Sequence, residues 1–272
     1  MWGKRKRPCS VRAVSSRLRQ DLQVRKRPAR ARIARTSGEE AVRYEMAQDW
    51  AQYSRSWWKN EIHAYIDNKT FVVPGTEAQK KQQRQAKVTW HLRRPNEGGE
   101  PDLFVPRTKR MLCGLKTLEI TSAVARGRII MWHVTSGRWN GDNAAIMYAK
   151  LGEALRQHWG NRREFRVVED GDRKGYQSTK GIQAKAAEKI TSWKLPPRTP
   201  QWMPLDFCLW HEIETKVLDR PVAGKETVAQ YAGRLRRAAS TIPAATIDKC
   251  LDSIHERIAQ TVTVKGRHTR KD

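Results

Sequence analysis

Three aspartates in this chain of 272 residues stand where an α/β protein could bring acids together. Asp67 closes the β-rich stretch HAYID, Asp170 closes FRVVED, and Asp206 lies in the first turn of a predicted helix. In open α/β sheets, sites collect at the carboxyl ends of strands and at adjacent helix N-termini. Carboxylates that meet there repel one another unless a cation neutralises them. The three acids therefore predict a divalent-metal site, with Asp172 as a reserve ligand beside Asp170.

A metal site made of carboxylates suits phosphoryl transfer. Mg²⁺ takes oxygen ligands, keeps several waters and accepts phosphate oxygens from a substrate, and Mn²⁺ favours the same ligands. Two such ions about 3.5–4 Å apart clamp the attacking and leaving oxygens of an in-line displacement. Each acid also has a simpler interpretation, because Asp67 and Asp170 could each start a turn and Asp206 could be an ordinary N-terminal helix charge. The acids alone leave both interpretations open.

A proline-rich segment, LPPRTPQWMP (195–204), precedes Asp206. Its four prolines fix φ and cannot continue a helix, so a rigid, extended connector is expected here. A rigid connector ahead of a single carboxylate suggests that this acid must reach a defined place. Proline before a helix and aspartate in its first turn are also common capping features, so the segment by itself does not establish a site.

Strands and helices alternate along the chain, which predicts an α/β fold with a central sheet. A capping box at Ser37 and Glu40 predicts the start of a helix, and Gly127 predicts a turn between two strands. The polar residues 75–111 predict a long loop insertion. The predicted strands lie at 61–74, 115–124, 128–135, 163–172 and around 193, and the predicted helices at 38 to the mid-fifties, 143–158, from 178, after 204, 225–240 and 244–260.

The charge balance points to a polyanionic partner. Lys and Arg number 54 against 28 Asp and Glu, which leaves a net charge of +26. Such an excess favours nucleic acid, and no stretch is apolar enough to span a bilayer, which argues against a membrane partner. The motifs GKRKRP (3–8) and RKRPARAR (25–32) are typical of nuclear import signals, so the nucleus is the expected compartment; a solvated basic arm is the simpler interpretation, and the two are compatible.

The four cysteines give no sign of pairing. Cys9, Cys113, Cys208 and Cys250 are far apart in sequence and form no C-x-x-C pair. Neither a disulfide framework nor a zinc site is predicted, and a reducing compartment fits this usage.

The N-terminal segment is the most basic part of the chain. Residues 1–37 carry thirteen Lys and Arg against a single acid, Asp21. Residues 11–22 have a helical pattern, and an arginine-rich linker follows them, of the type that lies along phosphates or enters a minor groove. The candidate DNA contacts are Arg12, Arg19, Arg25, Lys26, Arg27, Arg30 and Arg32.

Three blocks of the sequence resemble the catalytic blocks of the mariner-type transposases, which belong to the DDE/D class. These are YIDNKTF (65–71), VVEDGD (167–172) and PPRTPQWMPLDFCLW (196–210). The third block matches the family pattern without a gap, and 35 residues separate Asp170 from Asp206, as is typical of the family. The tail at 242–270 also resembles the closing helices of that family.

This resemblance implies a fold, an activity and a set of partners. The fold would be ribonuclease H-like, with a mixed central sheet flanked by helices, and Asp67, Asp170 and Asp206 would be both catalytic residues and ligands of two Mg²⁺ ions, with Mn²⁺ as a substitute. The reaction would be strand cleavage and strand transfer on double-stranded DNA, at transposon ends and target, by a homodimer. The implied domains are a basic arm with the remnant of a helix-turn-helix module (1–37), the catalytic domain (38–222) and C-terminal helices packed on it (223–272).

The sequence departs from the family pattern near two of the acids, and two other functions stay open. Gly171 stands where Asn is usual, Gly175 where His is common, and Gln201-Trp202 replace Asp-Leu. One alternative is a transposon-derived DNA-binding protein without cleavage activity. The other is a basic RNA- or ribosome-associated protein, which only the charge supports. Metal-dependent nicking of DNA separates the transposase from both.

Overall fold

The computed structural model describes residues 35–74, 116–220 and 225–269, together with the backbone of four short strands within residues 25–32, 90–93 and 104–106. The chain divides into two compact units. One comprises Met1–Ala34 and Gln85–Lys109, and the other comprises Arg35–Arg84 and Arg110–Asp272. The second unit holds all three predicted site aspartates.

In chain order, the strands of the described residues are β1 (Arg25–Pro28), β2 (Arg30–Arg32), β3 (Ala64–Val72), β4 (Trp90–Arg93), β5 (Phe104–Pro106), β6 (Thr117–Ala125), β7 (Arg128–Val134), β8 (Phe165–Glu169) and β9 (Ile190–Lys194). The α-helices are α1 (Ser37–Trp50), α2 (Arg55–Asn60), α3 (Gly141–Trp159), α4 (Thr179–Ala187), α5 (Trp210–Leu218), α6 (Val228–Ser240), α7 (Ala244–Asp252) and α8 (Ile254–Thr263). A 3₁₀ turn (Pro200–Trp202) and a π-helical turn (Leu205–Leu209) precede α5.

The smaller unit corrects the prediction for its two polar segments. The arginine-rich residues expected to form a linker contain β1 and β2, and the expected loop at 75–111 contains β4 and β5. β1 pairs antiparallel with β4, and β2 pairs in parallel with β5. An extended segment presents unpaired N–H and C=O groups, which a neighbouring segment can satisfy. Strands of three or four residues are too short to give an alternating pattern, and the helix predicted at 11–22 lies outside the described residues.

The larger unit is built on a five-stranded mixed sheet in the order β7-β6-β3-β8-β9. β6 pairs antiparallel with β3 and β7, while β8 pairs in parallel with β3 and β9. Gly127 makes the turn between β6 and β7 at φ +76, where glycine is favoured because it lacks a Cβ, so this prediction is confirmed.

Helices cover both faces of this sheet. Neighbouring residues of each strand point to opposite faces, so each strand contributes side chains to two cores. On β3, Tyr65 and Phe71 enter a core shared with α1, α2 and α5–α8. Ala64 and Ile66 enter a second core, formed mainly against α3. α8 packs against α1 and α2, so the C-terminal helices complete the layer on the first face. None of the described helices combines the length and the hydropathy needed to cross a bilayer.

Several helix boundaries differ from the prediction. The capping box of α1 uses Thr36 and Glu39, one residue before the predicted pair, and the helix ends at Trp50. α2 then starts afresh with Ser54 as its N-cap. The helix predicted at 244–260 is two helices, α7 and α8, with a break at Ser253. Local cap chemistry decides these ends, and the apolar period alone does not resolve a one-residue shift or a short break.

The prediction that no cysteines pair is wrong. Cys208 in the π-helical turn and Cys250 in α7 form a disulfide, with their Cα atoms 6.7 Å apart. The two residues are 42 positions apart in sequence. They meet because the turn before α5 packs against α7. The spacing of cysteines in the sequence does not predict such a tertiary contact.

Candidate active site

Asp67 lies inside a strand, which corrects the prediction that it closes one. β3 continues to Val72 because its antiparallel partner β6 extends that far, with Asp67 opposite Ser122. The parallel partner β8 stops earlier, at Glu169, and pairs Val168 with Tyr65. Asp67 and Asp170 therefore each follow this pair by two residues. Adjacent strands lie about 4.8 Å apart, so the two aspartates occupy neighbouring positions where β8 ends.

Asp206 reaches the same edge through the π-helical turn that leads into α5. It lies four residues before Trp210, whose indole Nε1 donates a 2.6 Å hydrogen bond to Oδ2 of Asp67. Burial raises the pKa of Asp67 well above its usual range, and the negative charges of Asp206 and then Asp170 raise it further. The hydrogen bond from Trp210 opposes these effects. Asp206 and Asp170 are therefore near enough to Asp67 for their charges to act on its carboxyl group.

The proline segment is not the extended connector that was expected, because Arg198 has a φ of 53° and Pro200–Trp202 form a 3₁₀ turn, at whose start proline is well tolerated. Two contacts anchor the segment. Arg35 donates to the carbonyl of Arg198 through Nε at 3.2 Å and Nη2 at 3.0 Å, and Arg198 pairs with Glu39 of α1. Farther along, Trp202 Nε1 donates to Thr261 Oγ1 of α8 at 3.1 Å. The prolines stiffen the backbone and these contacts tie it to the flanking helices. Together they determine where the Asp206 turn begins.

Whether these acids bind metal depends on closer approach of their oxygens. Among the described residues, no group of three or more His, Cys, Asp or Glu side chains is arranged closely enough to hold an ion. The chemistry of the donors still fits a hard cation, because carboxylate oxygens are what Mg²⁺ and Mn²⁺ prefer. A cation would also offset the repulsion that raises the pKa of Asp67. The metal-ligand role of Asp67, Asp170 and Asp206 stays a prediction.

A buried ion pair beside Asp170 was missed in the sequence. Glu169 is 0% exposed and accepts hydrogen bonds from Lys185 Nζ at 2.5 Å, Gln177 Nε2 at 2.9 Å and the hydroxyl of Tyr148. Burial and then the Glu169 charge raise the pKa of Tyr148, so its hydroxyl remains a donor. The alternation of side chains along β8 could have predicted this burial, because Glu169 lies on the same core-facing side of the strand as Val167. The network fixes the strand end from which Asp170 extends.

Asp172, the reserve ligand, serves the turn after β8. Its Oδ2 accepts from Trp139 Nε1 at 2.8 Å and from the backbone N–H of Gly175 at 2.7 Å, and its Oδ1 accepts from the N–H of Lys174 at 3.2 Å. Both oxygens are thus engaged in holding the loop. Coordination by Asp172 would require these donors to be displaced.

One of the unusual residues near the acids has a structural explanation. A Cβ at Gly175 would lie 2.3 Å from the ring of Trp139, so this indole requires glycine there. A Cβ at Gly171 would come within 2.9 Å only of the far end of the flexible Lys194 side chain, so nothing in the structure explains glycine at that position. Trp202 is 1% exposed and belongs to the core.

The predicted DNA contacts of the N-terminal arm are not tested by the structure. Arg12 and Arg19 lie outside the described residues. The other five belong to β1 and β2, of which the backbone is described, and they are Arg25, Lys26, Arg27, Arg30 and Arg32.

A mixed five-stranded sheet covered by helices on both faces is the ribonuclease H-like fold that the family resemblance implies, and this prediction is confirmed. No protein-family model matches this sequence, and no curated protein matches it.

Solved structures of the Mos1 mariner transposase have the same fold. Its catalytic domain superposes with a TM-score of 0.65 at 9% identity, covering 88% of this chain and 100% of that one. The Mos1 paired-end complex with Mn gives 0.71 at 13% identity, covering 96% of this chain and 72% of that one. The Mos1 strand transfer complex gives 0.69 at 14% identity, covering 95% and 71%. At these identities the likeness establishes the fold.

Proposed function

We propose that this chain is the catalytic region of a mariner-type DNA transposase, which cleaves DNA strands and transfers them in a metal-dependent reaction. The observation that carries the proposal is that Asp67 and Asp170 occupy neighbouring strand positions in a ribonuclease H-like sheet, where the charge of Asp206 also acts on Asp67. Support comes from the solved relatives of the fold, since Mos1 is known in paired-end and strand transfer complexes and with Mg or Mn. The net charge of +26 suits a DNA substrate.

The three aspartates would hold two Mg²⁺ ions, with Mn²⁺ as a substitute. When bound, such ions polarise phosphate oxygens and lower the pKa of a coordinated water. The chain itself positions the carboxylates. Trp210 orients Asp67 through its indole N–H, the Glu169–Lys185 pair fixes the backbone before Asp170, and the proline segment fixes the turn with Asp206. Preorganisation of this kind supplies much of the rate in phosphoryl transfer.

The same proposal includes the partners and the compartment. Double-stranded DNA, as transposon ends and target, would be the substrate, and a homodimer would bring two ends together, as the paired-end complexes of Mos1 suggest by analogy. The basic motifs at 3–8 and 25–32 support a nuclear location. A reducing nucleus disfavours disulfides, so the fold should not depend on the bond between Cys208 and Cys250.

Cleavage of a supercoiled plasmid and of a duplex carrying a transposon end tests this function. The parent chain should nick DNA with Mg²⁺ or Mn²⁺ and not with EDTA. Asp67→Asn, Asp170→Asn and Asp206→Asn should each abolish nicking while DNA binding persists. Asp142→Asn is the matched control, because Asp142 pairs with Lys180 on the surface, where ion pairs contribute little.

Two results would overturn the assignment. Nicking that survives all three site substitutions would show that other residues carry the chemistry. DNA binding by a parent chain that never nicks would favour the DNA-binding protein without cleavage activity.

A further inference from the structure

A positively charged groove runs between α5 and α6, outside the carboxylate cluster. Its volume is about 770 Å³, and four cationic side chains but a single acid line it. The charged residues of the groove are Lys216, Asp219, Arg220, Arg234 and Arg237.

One of these cations is part of the protein framework. Arg234 donates through Nη1 to Glu226 at 2.8 Å and through Nη2 to the carbonyls of Val217 and Arg220, both at 2.5 Å. These bonds satisfy carbonyls at the C-terminal end of α5 and join it to α6. Arg234 therefore builds the groove and is not available to a ligand.

The other three cations have no carboxylate partner in the part of the chain that the structure describes. No ion pair within residues 35–74, 116–220 and 225–269 includes Lys216, Arg220 or Arg237. Unpaired cations in a concave surface concentrate the positive potential there and attract extended anions. Lys and Arg contacts to phosphates are the usual sequence-independent way to hold DNA.

The groove lies along the helix that starts at the acids. α5 begins with Trp210, whose indole contacts Asp67. A helix rises about 1.5 Å per residue, so Lys216 lies roughly 9 Å farther along its axis. DNA advances about 3.4 Å per nucleotide of one strand. A strand that runs along α5 with its reacting phosphate at the acids would thus place a phosphate about three nucleotides away beside Lys216, and the following ones beside the rest of the groove.

We propose that Lys216, Arg220 and Arg237 bind the phosphodiester backbone of duplex DNA about three to five nucleotides from the phosphate that reacts. The position along the DNA rests on the proposed function, whereas the binding of phosphates does not. Either the transposon end or the target could supply this backbone, because both present the same chemistry.

The salt dependence of binding to a generic duplex tests the groove without requiring cleavage. Lys216→Gln with Arg237→Gln in the full chain should make the slope of log affinity against log salt shallower by about 1.8, since each lost phosphate contact contributes about 0.9. Arg163→Gln with Lys189→Gln is the matched control. These two cations line another cavity, of about 630 Å³, next to the start of β8, at the opposite end of that strand from Asp170. A slope that changes no more in the groove variant than in the control overturns the proposal.

Neutral methylphosphonates then test the position and distinguish the two DNA sources. They are placed three to five nucleotides from the cleavage site of a transposon-end duplex, or from the insertion site of a target duplex. There they should weaken DNA binding by the parent chain and leave DNA binding by the groove variant unchanged. The duplex in which they act is the one that the groove holds. An equal effect in parent and variant, or no effect in either duplex, overturns the placement. A chain that never cleaves would refute the proposed function, while the salt measurement would still decide the groove.

Discussion

Trp210→Phe removes the indole N–H that Asp67 accepts and leaves an aromatic ring in the core. The bond is 2.6 Å long, and Trp210 is 1% exposed. A hydrogen bond to a charged group contributes about 1.5–3 kcal/mol. Burial and the charge of Asp206 raise the pKa of Asp67, and this bond counteracts them. Its loss therefore raises that pKa further and makes the ionised carboxylate harder to form.

The measurable consequence is weaker metal binding. A carboxylate must be ionised to bind a cation, so at fixed pH the affinity for Mn²⁺ falls. At about 1.4 kcal/mol per factor of ten, a loss of about 1.5–3 kcal/mol corresponds to roughly a 10- to 100-fold decrease. The difference between variant and parent should shrink as pH rises, because Asp67 is then ionised in both. Titration calorimetry with Mn²⁺ over a pH series measures the decrease and its pH dependence.

Trp132→Phe is the control for lost packing. Trp132 lies 6.0 Å from Trp210, ring centre to ring centre, and within the described residues its buried indole nitrogen has no hydrogen-bond partner. This variant should lose some stability and keep the Mn²⁺ affinity of the parent. Equal losses of affinity in the two variants, or a loss in Trp210→Phe that persists at high pH, would refute the role given to the indole.

Three further predictions concern stability. Asp67→Asn should raise the melting temperature of the metal-free chain near pH 7. The pKa of Asp67 is higher in the folded state than in the unfolded state, so ionisation of Asp67 costs stability as pH rises above the usual aspartate range. The gain should vanish in acid, and a loss near pH 7 would contradict it. Lys185→Met should cost about 3–5 kcal/mol in urea unfolding by leaving Glu169 buried without its partner, and adding Glu169→Gln should recover much of that. Burial and nearby arginines lower the pKa of His63 from 6.5 to about 4, so the stability from neutral His63 is lost as pH falls through that interval, and His63→Gln should flatten the dependence.

Local patterns in the sequence predicted most of the strands of the central sheet and their order along the chain. Gly127 marks the turn between β6 and β7, and Ser178 begins α4 as its N-cap. These features depend on residues close together in the chain, so composition and spacing carry them. The stiffness of the proline segment is predictable from the sequence for the same reason, because proline restricts the backbone wherever it occurs.

Features that depend on distant partners were not predictable in the same way. Asp67 lies within β3 because β6 extends the strand beyond the end of β8, and strand length here depends on a partner about fifty residues away. The bond between Cys208 and Cys250 and the pairing of Glu169 with Lys185 also form only after helices pack on the sheet. The three acids could be named from the sequence, whereas the contacts that hold them could not.

Anomalous diffraction from crystals grown with saturating Mn²⁺ tests the central claim most directly, since it locates the ions without relying on turnover. We expect manganese peaks within about 2.0–2.6 Å of carboxylate oxygens from Asp67, Asp170 and Asp206 together. Manganese bound through Asp172 without Asp206, or no manganese at these acids at saturation, would contradict it.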